Sequence, residues 1–269
     1  MAGRRDAGSA RRTRPMIIIG QIPYRVRLII FDKDGTLFDF HRLWTTWSAR
    51  YLRLVVSGQT DEERLYQALC EGLGYDTRKD RVLHDSPLSV LPTSDIPLTI
   101  ATVLYGQGLG WTKATELAEQ ALQRMVSEFD LAAAIRPIGD IVGLFRRLRQ
   151  AGIRIAVATT DERFITEPML ELGGIADMVD FLACSDDGLP IKPAPDAVLA
   201  ACESTGIAPL ETIVVGDNAA DMQMGRRAGV RLCVGVLSGV AKAGDLASDA
   251  DVVLDSIHDI VVPEDGESS

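Results

Sequence analysis

Short β-branched runs at residues 26–31, 153–158, 212–215 and 230–236 alternate with helix-length amphipathic stretches, and no other feature of the sequence constrains the fold as strongly. Each run is strand-sized, continuously apolar and reads as a buried strand. After Pro137, the apolar positions Ile138, Ile141, Val142, Phe145 and Leu148 fall at helical spacing, and Gly152 closes that stretch. Two more helices are predicted over 195–206 and 218–229. Strands alternating with helices imply parallel pairing through crossovers, hence an α/β doubly wound, Rossmann-like parallel sheet. Ligands on such sheets sit beyond the carboxyl ends of the strands.

The style changes between Phe40 and Arg136. Phe40, Leu43, Trp44, Trp47, Tyr51, Leu54 and Val55 form one helical stripe, and Leu117, Ala121, Leu122, Met125 and Phe129 form another. Pro87, Pro92 and Pro97 mark loops or short helices between them. Residues 40–136 therefore read as an all-helical inserted cap domain, with the aromatic stripe as its core. The insertion splits the sheet domain into 16–39 and 137–262. Residues 1–15, rich in Arg, and the acidic 263–269 read as disordered tails, with an organelle-targeting peptide as the alternative for the first.

Composition narrows the function classes. The 269-residue chain carries a formal net charge of -10, which argues against a nucleic-acid surface. No apolar run approaches the ~20 residues that span a bilayer. Cys70, Cys184, Cys202 and Cys233 lack any metal-ligand spacing and read as small apolar fillers in a reducing, cytoplasmic setting.

Chemistry-bearing residues cluster at the ends of the predicted strands. Asp32-Lys33-Asp34-Gly35-Thr36 follows the first of them. Two carboxylates at i and i+2 suit an oxygen-liganded cation, a nucleophile or a general acid, and Gly35 permits an unusual exit from the strand. Thr159-Thr160 ends the second strand and offers hydroxyl and N–H groups to a phosphate oxygen. Lys192-Pro193 supplies a cation, while Gly216-Asp217-Asn218 and Asp221 add carboxylates. Each has a plain alternative as a turn, cap or surface residue. Their shared position at one rim of the inferred sheet favours a joint role.

The set DxDGT, a Thr after the second core strand, KPxPD and GDxxxD resembles the haloacid dehalogenase superfamily. Here these are Asp32 to Thr36, Thr159, Lys192 to Asp196, and Asp217 to Asp221. The helical insertion is similar to the cap of the phosphoglycolate phosphatase and β-phosphoglucomutase branch. The resemblance implies a magnesium-dependent phosphatase of a small phosphorylated metabolite, working through an aspartyl-phosphate. It implies Asp32 as nucleophile and Asp34 as general acid and base. Mg2+ would be held by the Asp32 carboxylate, the Asp34 backbone carbonyl and Asp217, with Asp221 orienting a water of the metal's shell. Thr159, Thr160 and Lys192 would bind the phosphoryl group. Thr160 departs from the Asn or Ser of many relatives.

A phosphomutase shares all four motifs and is the main alternative. A dehalogenase proper would leave Asp34 idle, and a phosphonate-cleaving relative typically lacks it. A receiver-type signalling domain is about half this length, and an idle scaffold has no need of Asp32, Asp34, Lys192 and Asp217. Phosphoglycolate is the substrate the resemblance favours. His41, Arg42, Arg78, Lys79, His84 and Asp85 are the cap residues considered for substrate contact, and oligomeric state is not legible.

Overall fold

A computed structural model describes residues 15–263. The tails expected at 1–15 and 263–269 lie outside the described residues, apart from Pro15 and Pro263.

Six parallel strands form the central sheet. Their spatial order is Val252–Leu254, Leu232–Val236, Thr212–Gly216, Leu28–Phe31, Arg154–Ala158, Phe181–Ala183. The first of these six in the chain, Leu28–Phe31, sits in the middle, and the order runs outward from it in both directions. Its carboxyl end is the switch point of a doubly wound sheet, where a crevice opens between diverging loops.

Alternate residues of the strands pack into different cores. Ile29, Phe31, Ile155, Val157, Ile213 and Val215 join one cluster, where Phe31 stacks on Phe145 at 5.3 Å. Leu28, Ile30, Ala156, Ala158 and Val214 join another, against Val198, Ala201 and Met224. Both faces are covered, which is why these strands lack the polar alternation of a half-exposed sheet.

The four predicted strands are present with ends shifted by one or two residues. The outer strands Phe181–Ala183 and Val252–Leu254 are too short to show a period, and go unpredicted. A second small sheet pairs Met16–Ile19 with Ile22–Arg25 and Ile260–Val261, joining the two ends of the core domain. Its hairpin turns at Gly20 and Gln21, both at positive φ (54° and 69°), as two-residue hairpin turns favour.

Helix starts are set by caps. The helix expected from Pro137 begins at Ile141, because the Asp140 carboxylate accepts the Gly143 N–H at 2.8 Å. Residues 137–139 instead run beside the first motif, with the Ile138 N–H donating to the Leu37 carbonyl at 2.8 Å. The Asp39 N–H donates to the Arg136 carbonyl at 2.8 Å, so both connections of the insertion lie side by side next to Asp32 to Thr36.

The insertion is helical, chiefly Phe40–Val56, Glu62–Leu73, Ile96–Gly106 and Trp111–Glu128. One exception is a two-stranded hairpin, Tyr75–Asp76 with Arg81–Val82, whose strands are too short to read from sequence. Trp44, Trp47 and Tyr51 contact in series with ring centroids 5.3 and 4.7 Å apart, and the Tyr51 hydroxyl donates to the Ala118 carbonyl at 2.9 Å. All four cysteines are unpaired and buried. Among the described residues no helix is long and apolar enough to cross a membrane.

Candidate active site

The strand Leu28–Phe31 hands its ladder on to Asp32, whose N–H donates to the Val215 carbonyl at 2.8 Å. The chain then leaves the sheet through Gly35 at φ +87°. A Cβ there would lie 2.5 Å from Asp217 Oδ2, so only glycine lets these two loops meet so closely. The Ser238 hydroxyl donates to the Gly35 carbonyl at 2.6 Å and pins the turn.

Asp217 follows the strand Thr212–Gly216 and is buried, its Oδ2 accepting the Val240 N–H at 2.9 Å. Asp221 lies in the first turn of the helix Ala219–Ala228. Its Oδ2 accepts the Asn218 N–H at 3.0 Å, half of a capping box in which Asn218 caps the same helix. Thr159 ends Arg154–Ala158, and its hydroxyl accepts the Asp161 N–H at 3.2 Å.

Lys192 draws the carboxylates together. Its Nζ lies 2.6 Å from Asp32 Oδ1 and 2.6 Å from Asp221 Oδ1. Burial works against its charge, but Asp221 and Asp32 outweigh that and hold it protonated. The carboxylates remain in excess. Burial, with Asp32 and then Asp221 facing it, pushes Asp217 well above the ordinary carboxylate range. Burial pushes Asp221 to about 6, against the pull of Lys192.

Asp32, Asp217 and Asp221 each present a carboxylate oxygen, all within 4.8 Å of one another. An all-oxygen, net-negative cluster with two of its three members buried fits a hard dication. Asp221 thus stands among the candidate ligands, closer in than the supporting position implied by the resemblance.

Asp32, Asp34, Thr159, Thr160, Lys192, Asp217 and Asp221, all expected from sequence, line one cavity of about 210 Å³ beyond the strand ends. Two groups that sequence reasoning missed support it, Asp161 in the lining and Lys33 behind it. Lys33 is fully buried, its Nζ 2.5 Å from Asp34 Oδ2 and 2.8 Å from Asp161 Oδ2. Asp161 also accepts the Thr93 hydroxyl at 3.2 Å, and neighbouring Glu162 accepts the Ser94 N–H at 2.7 Å. Both contacts cross from the insertion to the core. Asp161 follows Thr159-Thr160 directly, so the strand-end criterion applied one residue further would have found it. No local signal marks Lys33, which reads as a solvated turn residue.

This network sets the state of Asp34. Burial raises its carboxyl to about 7, opposed by Lys33 and reinforced by Asp161. Asp161 moves the other way: burial raises it, but the charge of Lys33 together with hydrogen bonds from Asp34, Lys33 and Thr93 outweighs that and holds it below the usual range. One carboxyl is thereby poised to carry a proton near neutrality while its neighbour stays ionised.

The insertion supplies the opposite wall, through Phe40, Trp44 and residues 88–91. None of His41, Arg42, Arg78, Lys79, His84 and Asp85 lines the cavity. The aromatic stripe is therefore divided. Trp47 and Tyr51 pack inside the insertion, while Phe40 and Trp44 face the cleft.

Comparisons with known proteins agree with this architecture. A phosphoglycolate phosphatase of Cupriavidus necator is 30% identical over 111 residues, which cover 41% of this chain; the alignment spans about half of that relative (48%). The pyrophosphatase PpaX of Bacillus velezensis is 32% identical over 88% of this chain and 95% of its own length. A solved structure of a haloacid dehalogenase superfamily hydrolase, subfamily IA, from Geobacter sulfurreducens has the same fold at 16% identity. Its TM-score is 0.57, over 86% of this chain and 92% of that one. The family profile of haloacid dehalogenase-like hydrolases matches residues 26–229, from the first core strand to the end of the helix that carries Asp221. The chain belongs to the haloacid dehalogenase-like hydrolase family.

Proposed function

We propose that the chain is a Mg2+-dependent phosphatase that hydrolyses a small phosphate monoester through an aspartyl-phosphate at Asp32. The observation that carries this reading is the pairing in one cavity of Asp32, held by Lys192, with Asp34, whose carboxyl is raised to about 7. A nucleophilic carboxylate beside a protonated acid is what two-step hydrolysis of an alkyl phosphate requires.

Asp32 attacks phosphorus while Asp34 gives its proton to the departing alcohol oxygen. Asp34, now ionised, takes a proton from water, which attacks the aspartyl-phosphate and releases inorganic phosphate. Lys192, Thr159 and the Thr160 N–H bind the phosphoryl oxygens, and positive charge stabilises the transition state. Mg2+ would be held by the Asp32 and Asp217 carboxylates and the Asp34 backbone carbonyl, with the Asp221 carboxylate beside them as a further oxygen donor. It supplies further positive charge to the phosphoryl group. Phe40, Trp44 and residues 88–91, as part of a cap over the cleft, exclude bulk water and keep Asp34 dry.

Phosphate release from a panel of small monoesters, with Mg2+ and with EDTA, tests the reading. Turnover independent of the metal would sink it. Product analysis with a sugar phosphate separates hydrolysis from mutase transfer.

Asp34→Asn is expected to impair alkyl phosphates far more than p-nitrophenyl phosphate, whose leaving group departs without a proton. Loss should reach about 100-fold or more for the alkyl ester, the usual scale of general acid catalysis. In the wild type, kcat/KM for the alkyl ester should fall as pH rises through about 7, because the acid must be protonated. That alkaline fall should be weak with p-nitrophenyl phosphate. Equal losses for both esters would remove Asp34 from the acid's role.

A further inference from the structure

The cavity has two chemically different halves. At the strand ends it is polar, with five carboxylates among its lining residues: Asp32, Asp34, Asp161, Asp217 and Asp221. The wall given by the insertion is apolar: Phe40, Trp44, Leu88, Val90 and Leu91. Two neutral polar groups interrupt it: the Trp44 indole N–H, which is buried without a hydrogen-bond partner among the described residues, and Ser89, which is already engaged. The Ser89 hydroxyl donates to the Ser86 carbonyl at 2.9 Å and accepts the Ser86 N–H at 2.9 Å.

Among the described residues Lys192 is the only cationic side chain lining the cavity. It is buried between Asp32 and Asp221, on the side where the phosphoryl group would bind. Lys33 lies behind the cavity, paired with Asp34 and Asp161. A substrate carrying a second anionic group would therefore place it against the apolar wall, near five carboxylates and without a cation. An enclosed charge with no partner is strongly disfavoured, whereas apolar contact on that wall is favourable.

We infer that the natural substrate is the phosphate monoester of an uncharged, largely apolar small alcohol, and that the insertion selects it through this wall. The inference rests on the phosphatase reading above. It departs from the substrates that two relatives' names record, phosphoglycolate and pyrophosphate, both of which carry a second anionic group beyond the phosphoryl that is transferred. The cavity, about 210 Å³ in all, must also hold the phosphoryl group, which leaves room for a few carbons or a single ring.

The test compares kcat/KM of the full chain with Mg2+ for n-propyl phosphate, glycerol 3-phosphate, 2-phosphoglycolate and pyrophosphate. Propyl phosphate should exceed both anionic compounds by at least about 100-fold, the discrimination an apolar pocket already shows against an added neutral polar group. It should also exceed the polyol ester. Val90 is 42% exposed at the cavity edge, so an arginine can be added there without burying it. Val90→Arg should raise kcat/KM for phosphoglycolate about tenfold and lower that for propyl phosphate.

Preference for phosphoglycolate or pyrophosphate, or an unchanged ratio in Val90→Arg, would overturn the inference while leaving the phosphatase reading intact. Preference for glycerol 3-phosphate would overturn its apolar part. Absence of Asp32-dependent phosphate release from all four compounds would instead overturn the phosphatase reading, and the inference with it.

Discussion

Asp32→Asn is expected to leave less than about a hundredth of the wild-type kcat, a rise in the barrier of at least ~3 kcal/mol, with the fold intact. The amide keeps the size of the carboxyl but lacks the charge and nucleophilicity needed to attack phosphorus. Lys192 loses one partner and keeps another, since Asp221 Oδ1 remains 2.6 Å from its Nζ. The buried cation is therefore not stranded, and circular dichroism and thermal melting should change little. Mg2+ affinity should fall, because Asp32 is one of the three clustered carboxylates. Rapid-quench kinetics add a sharper reading: the wild type should yield a labelled phosphoprotein and Asp32→Asn none. Retention of more than a hundredth of the activity would remove covalent catalysis from this residue.

Lys33→Met should have the largest effect on stability. Lys33 is fully buried behind the cavity, where it neutralises Asp34 and Asp161. Methionine fills the space but leaves the buried Asp161 and the largely buried Asp34 without their cation, a loss of about 3–5 kcal/mol at neutral pH. The pH dependence has a definite sign. Asp161 is depressed by Lys33, so its part of the stabilisation is present above its unfolded value and is lost as pH falls through the folded one. In acid the wild type is left with a buried, unpaired ammonium group, which the variant lacks. Urea denaturation should therefore show a large gap at pH 7 that narrows or reverses as pH falls below about 4, the range between the unfolded and the depressed folded value of Asp161. A gap that did not change with pH would mean that the loss came from packing alone.

The same substitution bears on activity, because Lys33 and Asp161 act on Asp34 in opposite directions. Without Lys33 the Asp34 carboxyl should titrate higher, and the alkaline fall in kcat/KM for alkyl esters should move upward. Thr93 and Ser94 reach the same loop from the insertion, so movement of that segment relative to the core would alter the environment of the acid.

The core strands and the residues at their ends were legible because the signals are local. A continuous apolar run, a carboxylate pair directly after it and a glycine immediately after the pair need no tertiary information to be read. Their common location followed from a topological rule: in a doubly wound sheet the carboxyl ends face one crevice. The insertion was visible for the same reason, as a change in hydrophobic period. Its short hairpin, the three-residue outer strands and the true helix start at Ile141 were not. Strands so short have no period, and the start was decided by the Asp140 side chain.

What sequence alone determined was the set of groups that can do the chemistry and the edge of the sheet on which they lie. What only the tertiary structure decided was how those groups are charged and what they face. Lys33 looks like a turn lysine until the fold brings Asp161, 128 residues away, to within 2.8 Å. Lys192 becomes a counter-ion only by crossing 160 residues to Asp32. The apolar wall from Phe40, Trp44 and residues 88–91 arises where two separate parts of the insertion meet over the strand ends. Protonation and selectivity depend on burial and on partners distant in the chain, and neither is a property of any short stretch of sequence.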